Sequence, residues 1–83
     1  MIATVTLAAL KHRMTNADRR YGSFTSSHEF LGVALEEFAE MTDAVRANDL
    51  VKSRDEAIDL AAACLRFADQ SVTEKSLRER SVK

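Results

Sequence analysis

Across 83 residues the chain contains no proline, and its only glycines are Gly22 and Gly32. A backbone with so few breakers can run helical for long stretches, and it lacks the turn residues that strand-rich folds need every few positions. Ala, Leu, Glu, Lys and Arg supply nearly half of the sequence, so the predicted fold class is all-α. A chain this short buries a modest share of its surface as a monomer, which makes association with further copies an expectation.

Apolar positions Val5, Leu7, Ala8, Leu10 and Met14 predict a first helix over residues 2–14, despite the β-branched run Thr4-Val5-Thr6. The polar stretch TNADRRYGSFTSS, from Thr15 to Ser27, reads as a connection around Gly22. Its length suggests a functional loop. In SSHE, Ser26 is placed to cap a second helix, with Glu29 reaching back to the cap amide; this helix is predicted from His28 to Ala47. Asn48 suits a left-handed stop, and Asn48 or Asp49 can cap the third helix, predicted from Leu50 to Asp69. The short link implies a helical hairpin carrying an additional N-terminal helix, one domain over 1–83. Residues 71–83 read as a fraying or partner-docking tail.

With 12 basic and 13 acidic residues the net charge is −1, so the overall balance favours neither nucleic acid nor an anionic membrane. The N-terminal apolar stretch is too short to span a bilayer. Cys64 has no intrachain partner, reads as a small core residue and fits a reducing, cytoplasmic setting.

The eight acids between Leu35 and Asp59 separate on a helical wheel. In the second helix the predicted apolar sector contains Phe30, Leu31, Val33, Ala34, Phe38, Met41, Ala44 and Val45, and Glu37 falls inside it. Glu40 lies at its edge, while Glu36 and Asp43 point away. The third helix is apolar almost all round, which suits a central position; Glu56 falls between Ala63 and Phe67, and Asp59 beside Lys52 and Arg66. Asp49 and Asp55 read as cap or surface residues.

Burying neighbouring carboxylates is costly because each raises the pKa of the other. A divalent cation resolves the conflict, and Mg²⁺ favours a few carboxylate oxygens together with waters and phosphates. The competing reading pairs Glu37 and Glu56 with Arg13 or Arg66 as buried ion pairs. Without HExxH or CxxC, zinc is poorly supported. His12 and His28 are the only histidines, and His28 stands in the first turn of the second helix.

The pair Glu37-x-x-Glu40 and Glu56-x-x-Asp59, separated by the inter-helix turn, resembles the ExxE…ExxD signature of the MazG-like all-α nucleoside triphosphate pyrophosphohydrolases. The resemblance extends from about Tyr21 to Gln70, through GSFTSSHEFLGVALEEFAEMTDAV and RDEAIDLAAACLRFADQ, and is to short phage and bacterial members. It implies that Glu37, Glu40, Glu56 and Asp59 bind Mg²⁺, with Mn²⁺ a possible substitute, and that a (d)NTP is cleaved to (d)NMP and pyrophosphate. A carboxylate not fully engaged by metal, Glu37 or Glu40, would serve as general base. Lys52, Arg66, Arg19, Arg20 and His28 are the candidate substrate contacts. Tyr21, Phe24, His28 or Phe67 could stack on a base. The short chain implies a homodimer or homotetramer that completes the pocket. The alternative is a non-catalytic helical module that binds a nucleotide or a protein partner.

Overall fold

The computed structural model describes the backbone of residues 1–82 and the side chains of residues 1–70. Among the described residues it is all-helical, with α1 spanning Thr4–Tyr21, α2 Ser27–Arg46 and α3 Leu50–Val82. None of these helices is long and apolar enough to cross a membrane. The side chains of the tail, residues 71–83, lie outside the described set.

Helix α1 runs a full two turns beyond its predicted end. The segment TNADRRY is helical because its polar groups find partners, one within the helix and one across the fold that local sequence does not show. Asn16 Nδ2 lies 3.1 Å from His12 Nε2, and Asp18 pairs with Arg66 of α3 at 2.7 Å. Arg19 and Arg20 therefore sit in the last turn of α1, where their charge suits the helix dipole, rather than on a loop. Gly22 ends the helix at φ 70°, ψ −159°, a conformation that essentially only glycine adopts.

The connection to α2 is thus short and tightly pinned. The side-chain amide of Gln70 accepts from Phe24 N at 2.8 Å and donates to Phe24 O at 2.6 Å. The Phe24 ring is buried, edge-on to Phe30 and Phe67, which stack on each other 4.2 Å apart. Ser26 caps α2, its hydroxyl accepting from Glu29 N at 3.1 Å. The Glu29 carboxylate closes the motif one residue earlier than expected, on the amide and hydroxyl of Thr25.

The end of α2 follows the reading of AND. Asn48 takes φ 59°, its amide donates to Val45 O, and the Asp49 amide donates to Ala44 O, closing a Schellman motif. Asp49 Oδ1 then accepts from Lys52 N at 3.0 Å, capping α3.

Both α1 and α2 pack on α3 and neither packs on the other, so α3 is central, as its apolar circumference implies. Leu10, Ile58 and Ala62 form the core between α1 and α3. The wheel placed too much inside: Leu31, Phe38 and Val45 of α2, and Leu50 and Leu65 of α3, are substantially exposed, and Cys64 is exposed rather than core. The expected sector is wider than one neighbouring helix can cover, so of its members Phe30, Val33, Ala34, Glu37, Met41 and Ala44 are covered.

Candidate functional site

Helices α1 and α2 straddle α3 and leave an open groove of about 970 Å³ between them. From α2 it is lined by Glu36 and Glu37, from α3 by Asp59 and Arg66, and from α1 by Arg13 and Arg20. Acids and arginines thus share its lining, and Arg13 and Asp59 meet there.

Glu37, Glu56 and Asp59 are each half-buried and bring one oxygen apiece within 4.8 Å of one another. Glu37 Oε2 and Glu56 Oε2 are buried with no hydrogen-bond partner. Burial is the main force raising the Glu37 carboxyl to about 7, followed by the negative charges of Glu40, Asp59, Glu56 and Glu36. Glu56 is raised as well, first by burial and then by the adjacent Glu40 and Asp59 carboxylates; Lys52 acts in the opposite direction. Glu40 is exposed and stands outside the trio, in reach of Glu56.

The arginines that could have neutralised the inward acids are committed elsewhere. Arg13 Nη1 donates to Asp59 Oδ1 at 2.7 Å and to the Asp55 carbonyl at 2.8 Å, and Nη2 reaches Asp55 Oδ1 at 3.4 Å. These contacts raise the Arg13 guanidinium, the hydrogen bond to Asp59 foremost. Arg66 is buried, with Nε on Asp18 and Nη2 on the Gly22 carbonyl, both at 2.7 Å, and its guanidinium lies 4.8 Å from the Phe24 ring centre. Neither forms a salt bridge with Glu37 or Glu56, so the ion-pair reading of those two acids is not realised among the described residues.

Of the other candidate substrate contacts, Arg20 lines the groove, whereas Lys52, His28 and Arg19 are exposed outside it. Phe24 lines the groove, while Phe67 is spent on packing against Phe30. Two residues of the network carried no site role in the sequence reading. The sequence reads Asp55 as a cap or surface residue and Arg13 only as a partner for Glu37 or Glu56. The available signal was the spacing of Leu10, Arg13 and Ala17, which sets Arg13 on the face of α1 that meets α3.

The donor set suits a hard divalent cation. It consists of carboxylate oxygens only, from two helices, and two of them have no competing partner. Asp59 retains a second carboxylate oxygen besides the one that Arg13 engages. Comparison of the chain with protein-family models, with curated proteins and with solved structures finds no match.

Proposed function

We propose that the protein is a Mg²⁺-dependent nucleotide pyrophosphohydrolase that cleaves (d)NTP to (d)NMP and pyrophosphate. The observation that carries this reading is the pair of buried, partnerless oxygens on Glu37 and Glu56, left so while Arg13 and Arg66 are bound to other acids. A buried carboxylate without a cation is destabilising, and its retention on two successive helices is accounted for by a ligand that supplies positive charge.

On this reading Glu37, Glu40, Glu56 and Asp59 hold Mg²⁺, or Mn²⁺ in its place. The cation would neutralise phosphate oxygens and activate water for attack at the α–β phosphoanhydride. A carboxylate not fully engaged by the cation, Glu37 or Glu40, would serve as general base. Arg20, which lines the groove, would meet a triphosphate directly, whereas Arg66 would have to leave Asp18 and the Gly22 carbonyl, and Arg13 to turn from Asp59, to reach the same charge. Lys52, Arg19 and His28 would contribute from outside the groove as it stands. The cell compartment that fits a free, exposed Cys64 is the reducing cytoplasm. The full assembly on this reading is a homodimer or homotetramer of helical hairpins.

One observation favours a second reading. Arg13 already neutralises Asp59 at 2.7 Å, as it would in a scaffold that binds a nucleotide or a protein partner without turnover. The test is product analysis with a panel of dNTPs and NTPs, with and without Mg²⁺. Monophosphate and pyrophosphate should form only with the cation and disappear in Glu37→Gln and Glu56→Gln. Nucleotide binding by calorimetry with no product above those variants would establish the binding module instead.

A further inference from the structure

One flank of α2 is apolar and uncovered. Leu31, Leu35, Phe38, Thr42 and Val45 follow one another at alternating steps of four and three residues, the spacing of a helix–helix seam. Leu31, Leu35, Phe38 and Val45 are each 51–58% exposed. Thr42, between them, is half-buried, and its hydroxyl donates to the Phe38 carbonyl at 2.9 Å. The seam that meets α3 is one residue behind this row, through Phe30, Glu37, Met41 and Ala44. The groove residues Glu29, Val33 and Glu36 lie on the other flank of α2.

A matching row runs along α3. Ala57, Cys64 and Ala68 are exposed, bounded by exposed Leu50 and Leu65. Helices α2 and α3 are joined by three residues and pack together, so they run in opposite directions; about 100° per residue then puts both rows on one side of the pair, away from α1. The α2 row is made of large side chains and the α3 row of small ones. Such a face is complementary to itself, because a two-fold rotation about an axis along the helices lays the large row of each copy on the small row of the other.

We infer that this face is the interface with a second copy of the chain, α2 of each copy packing on α3 of its partner. Levels along the pair follow from Phe30 beside Phe67 and Glu40 beside Glu56. Leu35 and Phe38 thereby face the space between the partner's Ala57 and the partner's Cys64, and Leu31 the gap between the partner's Cys64 and the partner's Ala68. The area is also of the right order. With about 200 Å² for a large bare side chain, the exposed leucines, Phe38 and Val45 offer on the order of 600 Å², and the small row brings this toward the ~800 Å² per partner of a stable interface. Both grooves lie on the outer sides of such a dimer; the inference shares self-association with the catalytic reading, and sedimentation and cross-linking test this face separately from nucleotide turnover.

The test uses the full chain. Sedimentation velocity at about 50 µM should give a dimer, and Phe38→Asp should give a monomer whose circular dichroism remains helical. Leu35→Cys, with native Cys64 present, should form an interchain disulfide on mild oxidation, whereas the unmodified chain and Leu35→Cys combined with Cys64→Ser should not. A monomeric unmodified chain at that concentration, whether or not it binds lipid vesicles, overturns the inference. So does a Phe38→Asp variant that still dimerises, or a Leu35→Cys variant that fails to cross-link.

Discussion

At the scale of single residues, Glu37 makes the sharpest claim. Its folded-state carboxyl is raised from 4.5 to about 7, so between those values the folded chain binds more protons than the unfolded one. Stability from this group therefore falls as pH rises through that window, and the full penalty is present above about 7. Without divalent metal, Glu37→Gln should stabilise the protein at pH 8 by about 1–2 kcal/mol, allowing for the group's partial exposure, and have little effect at pH 4.5. Thermal unfolding in EDTA at both values measures it; an equal effect at the two pH values would remove burial of a charged Glu37 from the account. Added Mg²⁺ should recover stability at pH 8 in the native chain and do so less in the variant. Arg66 carries a different load. Its guanidinium holds Asp18, the Gly22 carbonyl and the Phe24 ring together, so Arg66→Met should cost about 2–3 kcal/mol in denaturant unfolding. Arg66→Lys should recover only part of that, because an ammonium cannot span the same three sites. The inward acids were legible in the sequence because 3.6-residue spacing alone places Glu37 and Glu56 on covered faces. The ion pairs were not, since Arg13 with Asp59 and Arg66 with Asp18 join positions more than forty residues apart, and a wheel carries no information between helices.

At the scale of elements, the two glycines should respond in opposite directions. Gly22 holds a positive φ that an added Cβ would strain, so Gly22→Ala should destabilise by about 1–3 kcal/mol and loosen the turn that carries Phe24. Gly32 lies within α2 with open space where a Cβ would stand, so Gly32→Ala should stabilise by about 0.5–1 kcal/mol. Chemical denaturation of both variants decides this; stabilisation by Gly22→Ala would exclude the left-handed helix end. The ends of α2 were readable from Ser26, Glu29, Asn48 and Asp49, because capping is a local interaction within a few residues. The end of α1 was not. Thr15 to Tyr21 offers little apolar periodicity, and the helix is held there by Asp18 meeting Arg66 across the fold. The widths of the apolar sectors were misjudged for a related reason: periodicity reports which residues are apolar, not how many neighbours are present to cover them.

At the scale of the whole molecule, that surplus of apolar surface becomes a thermodynamic expectation. Nearly half the residues are hydrophobic, yet the buried apolar set is confined to Leu10, Phe24, Ala44, Ile58, Ala62 and Ala63, and no side chain is fully enclosed among the described residues. A single chain with so thin a core draws little stability from its own interior. If the exposed rows of α2 and α3 are closed by a second copy, unfolding and dissociation become one event, and mass action ties the melting temperature to protein concentration. A thirty-fold rise in concentration then contributes about 2 kcal/mol per dimer. With about 2.1 cal/mol/K of unfolding entropy per residue, this corresponds to a rise on the order of 5 °C. Scanning calorimetry at 10 and 300 µM, in EDTA and without nucleotide so that no other ligand intervenes, should show that rise in the native chain and its absence in Phe38→Asp. A melting temperature independent of concentration in the native chain would place its stability within one copy, and the apolar flank of α2 would then need a different occupant.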